Sequence, residues 1–467
     1  MPLGVSGYAM LRLFTPIERC RPSIPIFISR LIEKFMNNVL EKMFDLKANK
    51  TTVGTEVLAG FTTFITMVYI IFVNPQMMAA SGMDQGASFV GTCLAAAIAC
   101  FIMGLYANWP VGMAPGMGLN AFFTFTVVGE MGYSWQVALG AVFLAGVIFV
   151  VMSITRLRGW MLRSISLNLR IAMAAGVGLF IGFIGLKSGG IIVANGATYL
   201  SLGDLTQPQT LLAALGFLTI AILSMRAVPG SIIIGIFGVT LIAALMGLVD
   251  YQGIVATPPS LAPTLMQLDI VGALDVSMVS VIIAFLFVNL FDTAGTLLGV
   301  ANQAELTDEK GDPQDLDKAL KADSSASVLG AFFGCSPVTS YVESSAGIQA
   351  GGRSGLTAVI VGSLFLLSIF FSPIAAMVPA YATAGALIYV AILMLLGMEK
   401  LDWNDMTELL PALVTIIMIP LSFSIANGIA LGFISYVLVK CCTGKVEHVT
   451  AGAWVLAIIF VAKFSFL

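Results

Sequence analysis

Apolar residues run along this chain in long uninterrupted stretches, with little of the alternation that marks strands. A helix needs roughly 20 apolar residues to cross a bilayer. Sliding along the sequence places spans at 57–78, 87–106, 111–128, 134–155, 168–187, 209–225, 229–248, 277–300, 323–335, 337–350, 355–372, 375–397, 408–424 and 426–440. A further run at 450–466 either lies along the interface or shows that one boundary is misplaced. The pattern predicts an all-α polytopic membrane protein with about 14 transmembrane segments.

Residues 1–55 precede the first span. They do not read as a cleavable signal, because no basic start leads into an apolar core and a small-residue cleavage site. Phe27, Leu31, Ile32, Phe35, Val39, Leu40, Met43 and Phe44 recur there at helical spacing, with Arg30, Glu33, Lys34, Glu41 and Lys42 on other faces. That pattern predicts an amphipathic helix on the membrane surface. The plainer alternative is an unordered leader.

Two spans are unlike the rest. One opens Pro110-Val-Gly112-Met-Ala-Pro115-Gly116-Met-Gly118-Leu-Asn120, and the other Gly334-Cys-Ser336-Pro337-Val-Thr339-Ser340-Tyr341-Val-Glu343. Both carry proline, and both are too short or too polar to cross lipid as plain helices. Irregular backbone survives at membrane depth only where protein buries it or where it lines a cavity. Interrupted segments at matching places in two halves are the best sequence pointer to a transporter's binding site. The halves do match in order: Phe72-Val73-Asn74 precedes Pro115 by 41 residues, counted from Asn74, and Phe287-Val288-Asn289 precedes Pro337 by 48, counted from Asn289. A repeat of seven spans inserts in opposite directions, so the prediction is a pair of inverted 7-span repeats.

Composition supports lipid as the solvent. Charged residues make up 10% of the 467 and hydrophobic ones 58%, against about 25% charged in an ordinary soluble domain. A net charge of -3 does not suit nucleic acid. Basic residues mark the side that stays in the cytoplasm. Arg156, Arg158, Arg163 and Arg170 crowd one short connection, and Arg226 and Arg353 fall on the same side if spans alternate. The 188–208 and 249–276 connections hold no lysine or arginine and belong outside. The N-terminus, with Lys42, Lys47 and Lys50, is then cytoplasmic. Six irregularly spaced cysteines and one histidine, His448, compose neither a disulfide framework nor a metal set of a usual kind, and no cofactor is expected.

Chemistry is carried by two acids inside the spans. Asn289, Asp292, Thr293 and Thr296 recur at i, i+3, i+4 and i+7, a polar stripe on a lipid-embedded helix. A mid-span carboxylate costs about 2.5–3.5 kcal/mol, so by default it lines a substrate or proton path; the plainer reading is a hydrogen-bonded helix contact. Glu343 lies in the hydroxyl-rich broken segment, where a carboxylate accepts two N–H donors side by side; the plainer reading is that it satisfies a half-helix N-terminus. Asn120 offers a donor and an acceptor in the first broken segment. Tyr341, Phe122 and Phe123 are stacking faces or, more simply, packing. Thr62, Thr66 and Tyr69 lie on one face of the first span and either face the same cavity or bond their own backbone. The string Gly116-x-Gly118-x-x-Ala121 fits a dinucleotide fingerprint but lacks its strand-turn-helix setting. Gly178, Gly182 and Gly185 suggest close helix packing, and the charged 302–323 stretch a solvated cytoplasmic connection.

The strings Thr55-Glu-Val-Leu-Ala-Gly-Phe-Thr-Thr-Phe, Ile70-Ile-Phe-Val-Asn-Pro, Ala114-Pro-Gly-Met-Gly-Leu-Asn-Ala-Phe-Phe, Asn289-Leu-Phe-Asp-Thr-Ala-Gly-Thr-Leu, Tyr341-Val-Glu-Ser-Ser-Ala-Gly and Gly351-Gly-Arg-Ser-Gly-Leu-Thr-Ala resemble the AzgA-type family of adenine, guanine and hypoxanthine permeases. The resemblance runs from about residue 50 to the C-terminus and is nearest the adenine permeases. It implies the uracil-permease type of fold, with a core domain (56–167 and 277–373) and a gate domain (168–276 and 374–467) behind the 1–55 leader. It also implies short strands in broken spans 3 and 10 that meet at mid-membrane. Family roles fall on Asp292, Glu343 and Asn120.

The expected function is proton-coupled symport of purine nucleobases, adenine first, across the inner membrane by alternating access. Glu343, Asn120, Asp292, Thr66 and Tyr341 are the expected cargo contacts, Asp292 and Glu343 the proton carriers, and a homodimer the expected assembly. The rivals are a carrier of guanine, hypoxanthine or xanthine, an intramembrane aspartyl hydrolase in which two acids share a proton, and an anion transporter of the same inverted build. A basic residue in the broken segments favours the anion carrier, and there is none.

Overall fold

The computed structural model describes residues 39–155, 165–307 and 313–466. The first half comprises α1 (Val53–Met67), α2 (Ile70–Ala80), α3 (Gln85–Ile102), β1 (Met113–Pro115), α4 (Met117–Ala121), α5 (Trp135–Ile154) and α6 (Leu167–Ser188), then a β2 (Ile192–Asn195)–β3 (Tyr199–Leu202) hairpin, α7 (Pro208–Met225) and α8 (Ser231–Leu245). The second half comprises α9 (Val279–Gln303), α10 (Leu316–Phe332), β4 (Val338–Ser340), α11 (Ser344–Gln349), α12 (Gly355–Ser368), α13 (Ser372–Met377), α14 (Ala380–Leu395), α15 (Met406–Leu421), α16 (Ile425–Cys442) and α17 (Ala451–Phe466).

Several helices begin where the sequence supplies a side-chain oxygen. Thr52, Asp84, Ser134 and Ser166 each accept from a backbone N–H in the first turn of α1, α3, α5 and α6. Such caps satisfy backbone donors that the helix itself leaves unpaired. Nine helices among the described residues are long and apolar enough to cross a membrane, and Ser231–Leu245, Met406–Leu421 and Ala451–Ser465 are shorter apolar helices. The 450–466 run is therefore a helix, α17, which packs along α16.

The broken segments behave as the resemblance implies. β1 and β4 pair antiparallel, with Met113 opposite Ser340, Ala114 opposite Thr339 and Pro115 opposite Val338. The pairing continues past its ends, because Gly116 N donates to Pro337 O at 2.9 Å and Tyr341 N to Gly112 O at 3.0 Å. Each strand runs into a half-helix. α4 continues to Glu130 in wider π-type turns, and α11 ends at Gln349. Two strands from opposite halves thus satisfy each other's backbone groups where no water reaches.

Helices sort into two packed groups. α1, α3 and α12 pack together beside α5, α9 and α10, and α6, α14 and α15 pack together beside α7, α8 and α16. Gly178, Gly182 and Gly185 form the α6 face against α14: a Cβ would come within 2.7 Å of Met394 Cβ, 2.9 Å of Ala391 Cβ and 3.0 Å of Ala384 O. The groups meet where α4 touches α6 and where α9 touches α6 and α16.

Two expectations change, and the leader is described only in part. The 302–323 stretch is not a solvated connection throughout, because α10 begins at Leu316, so the ninth span starts seven residues before 323 and Asp323 is fully buried. Small residues (Ala319, Ala322, Ser324, Ala326) let this helix pack inside the protein despite its charges. Residues 27–38 of the amphipathic leader lie outside the described residues. Of those that follow, Val39 and Met43 are exposed, Phe44 and Leu46 are buried against Leu356 of α12, and Asn108 Nδ2 donates to Phe44 O. Finally, β2 and β3 form a hairpin in the 188–208 connection, where Asn195 Oδ1 accepts from Ala197 N and Thr198 N to close the turn. Arg156, Arg158 and Arg163 lie outside the described residues.

Candidate functional site

The β1–β4 crossing is the anchor of the site. Ser327 of α10 donates to Val338 O at 2.6 Å, and Ser344 Oγ accepts from Gly112 N at 3.0 Å. Each strand is thereby fastened to a helix of the same group. Next to this crossing, α9 presents the predicted stripe. Asn289 donates to Ser327 Oγ at 2.7 Å, and Thr293 donates to Asp323 Oδ1 at 2.7 Å and lies 3.0 Å from Thr339 Oγ1. Thr296 is buried, and Asp292 is the half-exposed member.

Asp292 borders a cavity of about 30 Å³ at the seam of the two helix groups. Gly118, Leu119, Val288 and Phe291 line it from one side and Met173, Ala174, Val177 and Met394 from the other. That volume holds about one or two waters, whereas a small-molecule pocket runs to about 300–1,000 Å³. The space beside Asp292 thus has room for water and not for a small molecule.

Glu343 sits at the start of α11, and the hydroxyl of Tyr69 donates to its Oε1 at 2.6 Å. Asp292 lies within electrostatic reach of both Glu343 and Asp323. The structure thus gathers the two predicted acids, together with a third, around the strand crossing. A single span of sequence does not reveal this, because the three carboxyls come from α9, α10 and the start of α11.

Asp323 is the residue that sequence reasoning missed. Its Oδ2 accepts from Ser340 N at 2.8 Å and Ser340 Oγ at 2.7 Å, and its Oδ1 accepts from Thr293. Three donors at one buried carboxylate make it the tie between α9, α10 and β4. Glu56 was missed too. It is fully buried in the first turn of α1 and accepts from Arg353 N at 2.9 Å, Thr357 N at 3.2 Å and Thr357 Oγ1 at 2.6 Å. It fixes the turn that follows α11.

The other expected contacts are more committed to the protein than the sequence suggests. Asn120 is fully buried; its Oδ1 accepts from Ser336 Oγ, and its Nδ2 has no partner among the described residues. Tyr341 is buried and its hydroxyl donates to Pro115 O at 2.6 Å, across the strand crossing. Thr66 donates to Thr63 O at 2.7 Å and Thr62 O at 3.2 Å and lies 3.4 Å from Glu343 O. A threonine in a membrane helix commonly bonds its own turn in this way. Thr62 does the same with Leu58 O.

A roomier polar pocket of about 340 Å³ lies elsewhere, at the ends of α15 and α16, between Asp405, Glu408, Tyr436, Lys440, Lys445 and His448. Lys440 pairs with Glu408 at 2.7 Å and Lys445 with Asp405 at 3.4 Å. Its charges neutralise one another, so it reads as a staple between two helices.

Residues 54–460 match a family described as "Permease family" (Xan_ur_permease). The chain is 49% identical to the adenine permease AdeP of Escherichia coli (strain K12) over 92% of its length and 96% of that protein's. It is 46% identical to the adenine permease AdeQ of the same organism, over 91% and 96%, and 43% identical to the guanine/hypoxanthine permease PbuG of Bacillus subtilis (strain 168), over 92% and 100%. Among solved structures it resembles the transmembrane domain of the cyanobacterial bicarbonate transporter BicA, with a TM-score of 0.61 at 18% identity, covering 80% of this chain and 96% of that one. SLC26A9 gives the same TM-score at 12% identity, over 93% and 73%. At these identities the structures speak for the fold alone. The chain is a multi-pass membrane protein that belongs to this permease family, a carrier and not an enzyme, and stands in it among the adenine and guanine/hypoxanthine permeases.

Proposed function

We propose that the protein imports purine nucleobases, adenine first, together with a proton across the inner membrane by alternating access. The observation that carries this reading is the seam cavity, where Asp292 stands between two separately packed helix groups with Glu343 within electrostatic reach. The group containing α1, α9 and the strand crossing is the core, and the one containing α6, α14 and α15 is the gate, close to the 56–167, 277–373 and 168–276, 374–467 divisions. Glu343 accepts N–H donors of the base, with Asn120, Thr66 and Tyr341 beside it. Asp292 carries the proton, and loading it removes the cost of moving a bare charge through the closed seam.

The relatives named as adenine permeases support adenine ahead of guanine and hypoxanthine, and the acids support a proton as the coupled ion. Lys42, Arg226 and Arg353 support a cytoplasmic N-terminus. A homodimer is the proposed assembly.

Uptake of labelled adenine in cells lacking their own purine carriers tests the reading, with unlabelled guanine, hypoxanthine, xanthine and uracil as competitors and with a protonophore present or absent. Adenine uptake that collapses with the proton gradient is the expected result. Asp292→Asn is expected to abolish gradient-driven uptake and keep base binding; a variant that still concentrates adenine as well as the wild type refutes the split of roles.

A further inference from the structure

α15 ends in a left-handed cap, a position that ordinarily takes glycine. Phe423 fills it, one residue past Ser422, with φ of 51°. Its N–H donates to Pro420 O at 3.2 Å, and Ser424 N donates to Ile419 O at 3.2 Å. Glycine adopts this backbone at no steric cost, so a bulky residue held there points to work for its ring or its carbonyl. Both are engaged by the other helix group. Thr126 Oγ1, on the π-type continuation of α4, donates to Phe423 O at 2.8 Å. The Phe423 ring meets Phe125 of the same stretch with centroids 6.2 Å apart, and Phe180 and Phe183 of α6 at 5.1 and 5.7 Å. Lys187 stands 5.7 Å from the ring centroid, a cation over its face.

This clasp is stacked on the seam cavity. On α6, Val177 lines the cavity, Phe180 and Phe183 follow it, and Lys187 comes just before the helix gives way to the 188–208 connection. On the other group, Gly118 lines the cavity, and Phe125 and Thr126 come about two turns later. The clasp therefore lies between the cavity and the end of the protein that a cytoplasmic N-terminus leaves outside. A second set of bonds crosses between the groups at that end. Gln76 of α2 donates through Nε2 to Val378 O at 2.8 Å and accepts from Thr383 Oγ1 of α14 at 2.9 Å. At the opposite end, Asn168 with Asp402 and Lys440 with Glu408 bond within one group, and Glu56 with Arg353 within the other.

We infer that Phe423 is the latch of an outer gate: Phe125 and Thr126 clasp its ring and its carbonyl, hold the seam shut toward the outside, and let go to admit the purine. Phe423 touches no cargo in this account and acts by setting how often the outward-open arrangement forms. Ring and carbonyl act together because a braced turn presents both. Ser422 Oγ donates to Met418 O at 2.6 Å, and Ser424 Oγ caps α16 by accepting from Asn427 N at 3.3 Å. The inference rests on the proposed carrier function and orientation, and it holds whichever base is carried.

Chemical access to the cavity provides the test. Val177→Cys puts a thiol in the space beside Asp292, and Met394→Cys is a second reporter on the same space. A membrane-impermeant methanethiosulfonate is added to right-side-out vesicles, and the signal of the chain without the added thiol is subtracted. Modification is expected to be slow while the latch is intact. Thr126→Val, which removes the donor, and Phe423→Gly, which removes the ring and suits the left-handed cap, are each expected to raise the rate about tenfold, the order of one hydrogen bond or ring pair. Phe423→Ala removes the ring and keeps the strained backbone, so it tracks Phe423→Gly and covers a glycine variant that fails to reach the membrane. Ser422→Ala deletes a hydroxyl that bonds only within its own turn and leaves the rate unchanged. Fast modification with the latch intact, an unchanged rate in either Thr126→Val or Phe423→Gly, or an equal rise in Ser422→Ala overturns the assignment. So does a rise seen only in inside-out vesicles. Uptake of labelled purines by the native chain is measured in parallel: no uptake removes the carrier reading, and the labelling rates still report whether the clasp governs access.

Discussion

Asn74 and Asn289 make the same contact in opposite halves of the protein: each Nδ2 donates at 2.7 Å to a hydroxyl on the next long helix, Thr92 for Asn74 and Ser327 for Asn289. Both Oδ1 atoms are buried without a partner among the described residues. The matched Phe-Val-Asn strings thus mark a real structural repeat. The repeat also shows where the halves part. Four residues before Thr92 stands Ser88, whose hydroxyl has no partner among the described residues, whereas four residues before Ser327 stands Asp323, with three donors. The fold is doubled, and the acid sits in one half only.

Removing either asparagine side chain is expected to cost a similar amount of stability, about 1 kcal/mol, because each takes away one buried hydrogen bond and one already unsatisfied acceptor. Their effects on uptake differ. Ser327 passes on to Val338 O and so steadies β4, whereas Thr92 turns back to Ser88 O in its own helix. Asn289→Ala therefore slows uptake more than Asn74→Ala at equal melting temperature. Thermal unfolding in detergent beside uptake at matched membrane levels decides this, and equal uptake in the two variants goes against it.

Asp323→Asn preserves shape and replaces an acceptor by an amide whose NH2 group faces donors from Thr293 or Ser340. Uptake is expected to fall by at least about a hundredfold, with a loss of roughly 1–3 kcal/mol in stability. Thr293→Val, which removes one donor of three, is expected to be milder in both. A variant Asp323→Asn with wild-type uptake means that the carboxylate serves only as a strut that an amide replaces.

These contacts also explain which parts of the site were legible in advance. Asp292 stood out because Phe285-Leu-Phe-Val and Leu297-Leu surround it with apolar residues, and a charge in such a run advertises itself. The proline breaks announced the strand crossing, because backbone that leaves the helix in lipid has to be satisfied by something. Asp323 was hidden by its neighbours: Asp317, Lys318 and Lys321 make its surroundings look like a loop, yet α10 carries it inward on a face of alanine and serine. Glu56 was hidden for another reason, since an acid in the first turn of a helix is ordinary. Its partners, Arg353 N and Thr357, come from about three hundred residues away, and no local pattern encodes that meeting. Asn120 stands out as a polar residue in a broken segment and Tyr341 as a stacking or packing face, but which way each side chain spends its bonds depends on Ser336 and Pro115 across the crossing.

The staple at the ends of α15 and α16 makes a statement about pH. Hydrogen bonds from Thr407, its hydroxyl at 2.7 Å and its N–H at 2.9 Å, hold the Asp405 carboxyl at about 2, with Lys445 and Lys440 assisting. A carboxyl held below its ordinary value of about 4 stabilises the fold fully above that value, and the contribution is lost as pH falls from about 4 through about 2. The melting-temperature difference between wild type and Asp405→Asn is therefore expected to be constant from pH 8 to pH 5 and to shrink only below about 4. A difference that disappears by pH 6 is incompatible with this. Lys440→Met, which leaves the part-buried Glu408 without its cation, is expected to cost more, about 1–2 kcal/mol, over the same range.

Gly118 stands beside the cavity where the two helix groups meet. It lines the same space as Asp292, and a Cβ there would lie 2.2 Å from Val177 Cγ1 on α6. Valine is branched at Cβ and has little rotamer freedom in a helix, so it does not swing aside. An added methyl forces the seam apart or strains it, at about 1–3 kcal/mol. If movement of one group past the other carries the cargo, Gly118→Ala slows turnover about tenfold while changing the concentration for half-maximal uptake much less. Val177→Ala removes the opposing methyls, and the double variant Gly118→Ala/Val177→Ala is expected to recover most of the lost rate, a coupling that contacting residues show and distant ones do not. Normal turnover in Gly118→Ala, or a double variant as slow as the single one, would mean that this seam does not move during transport.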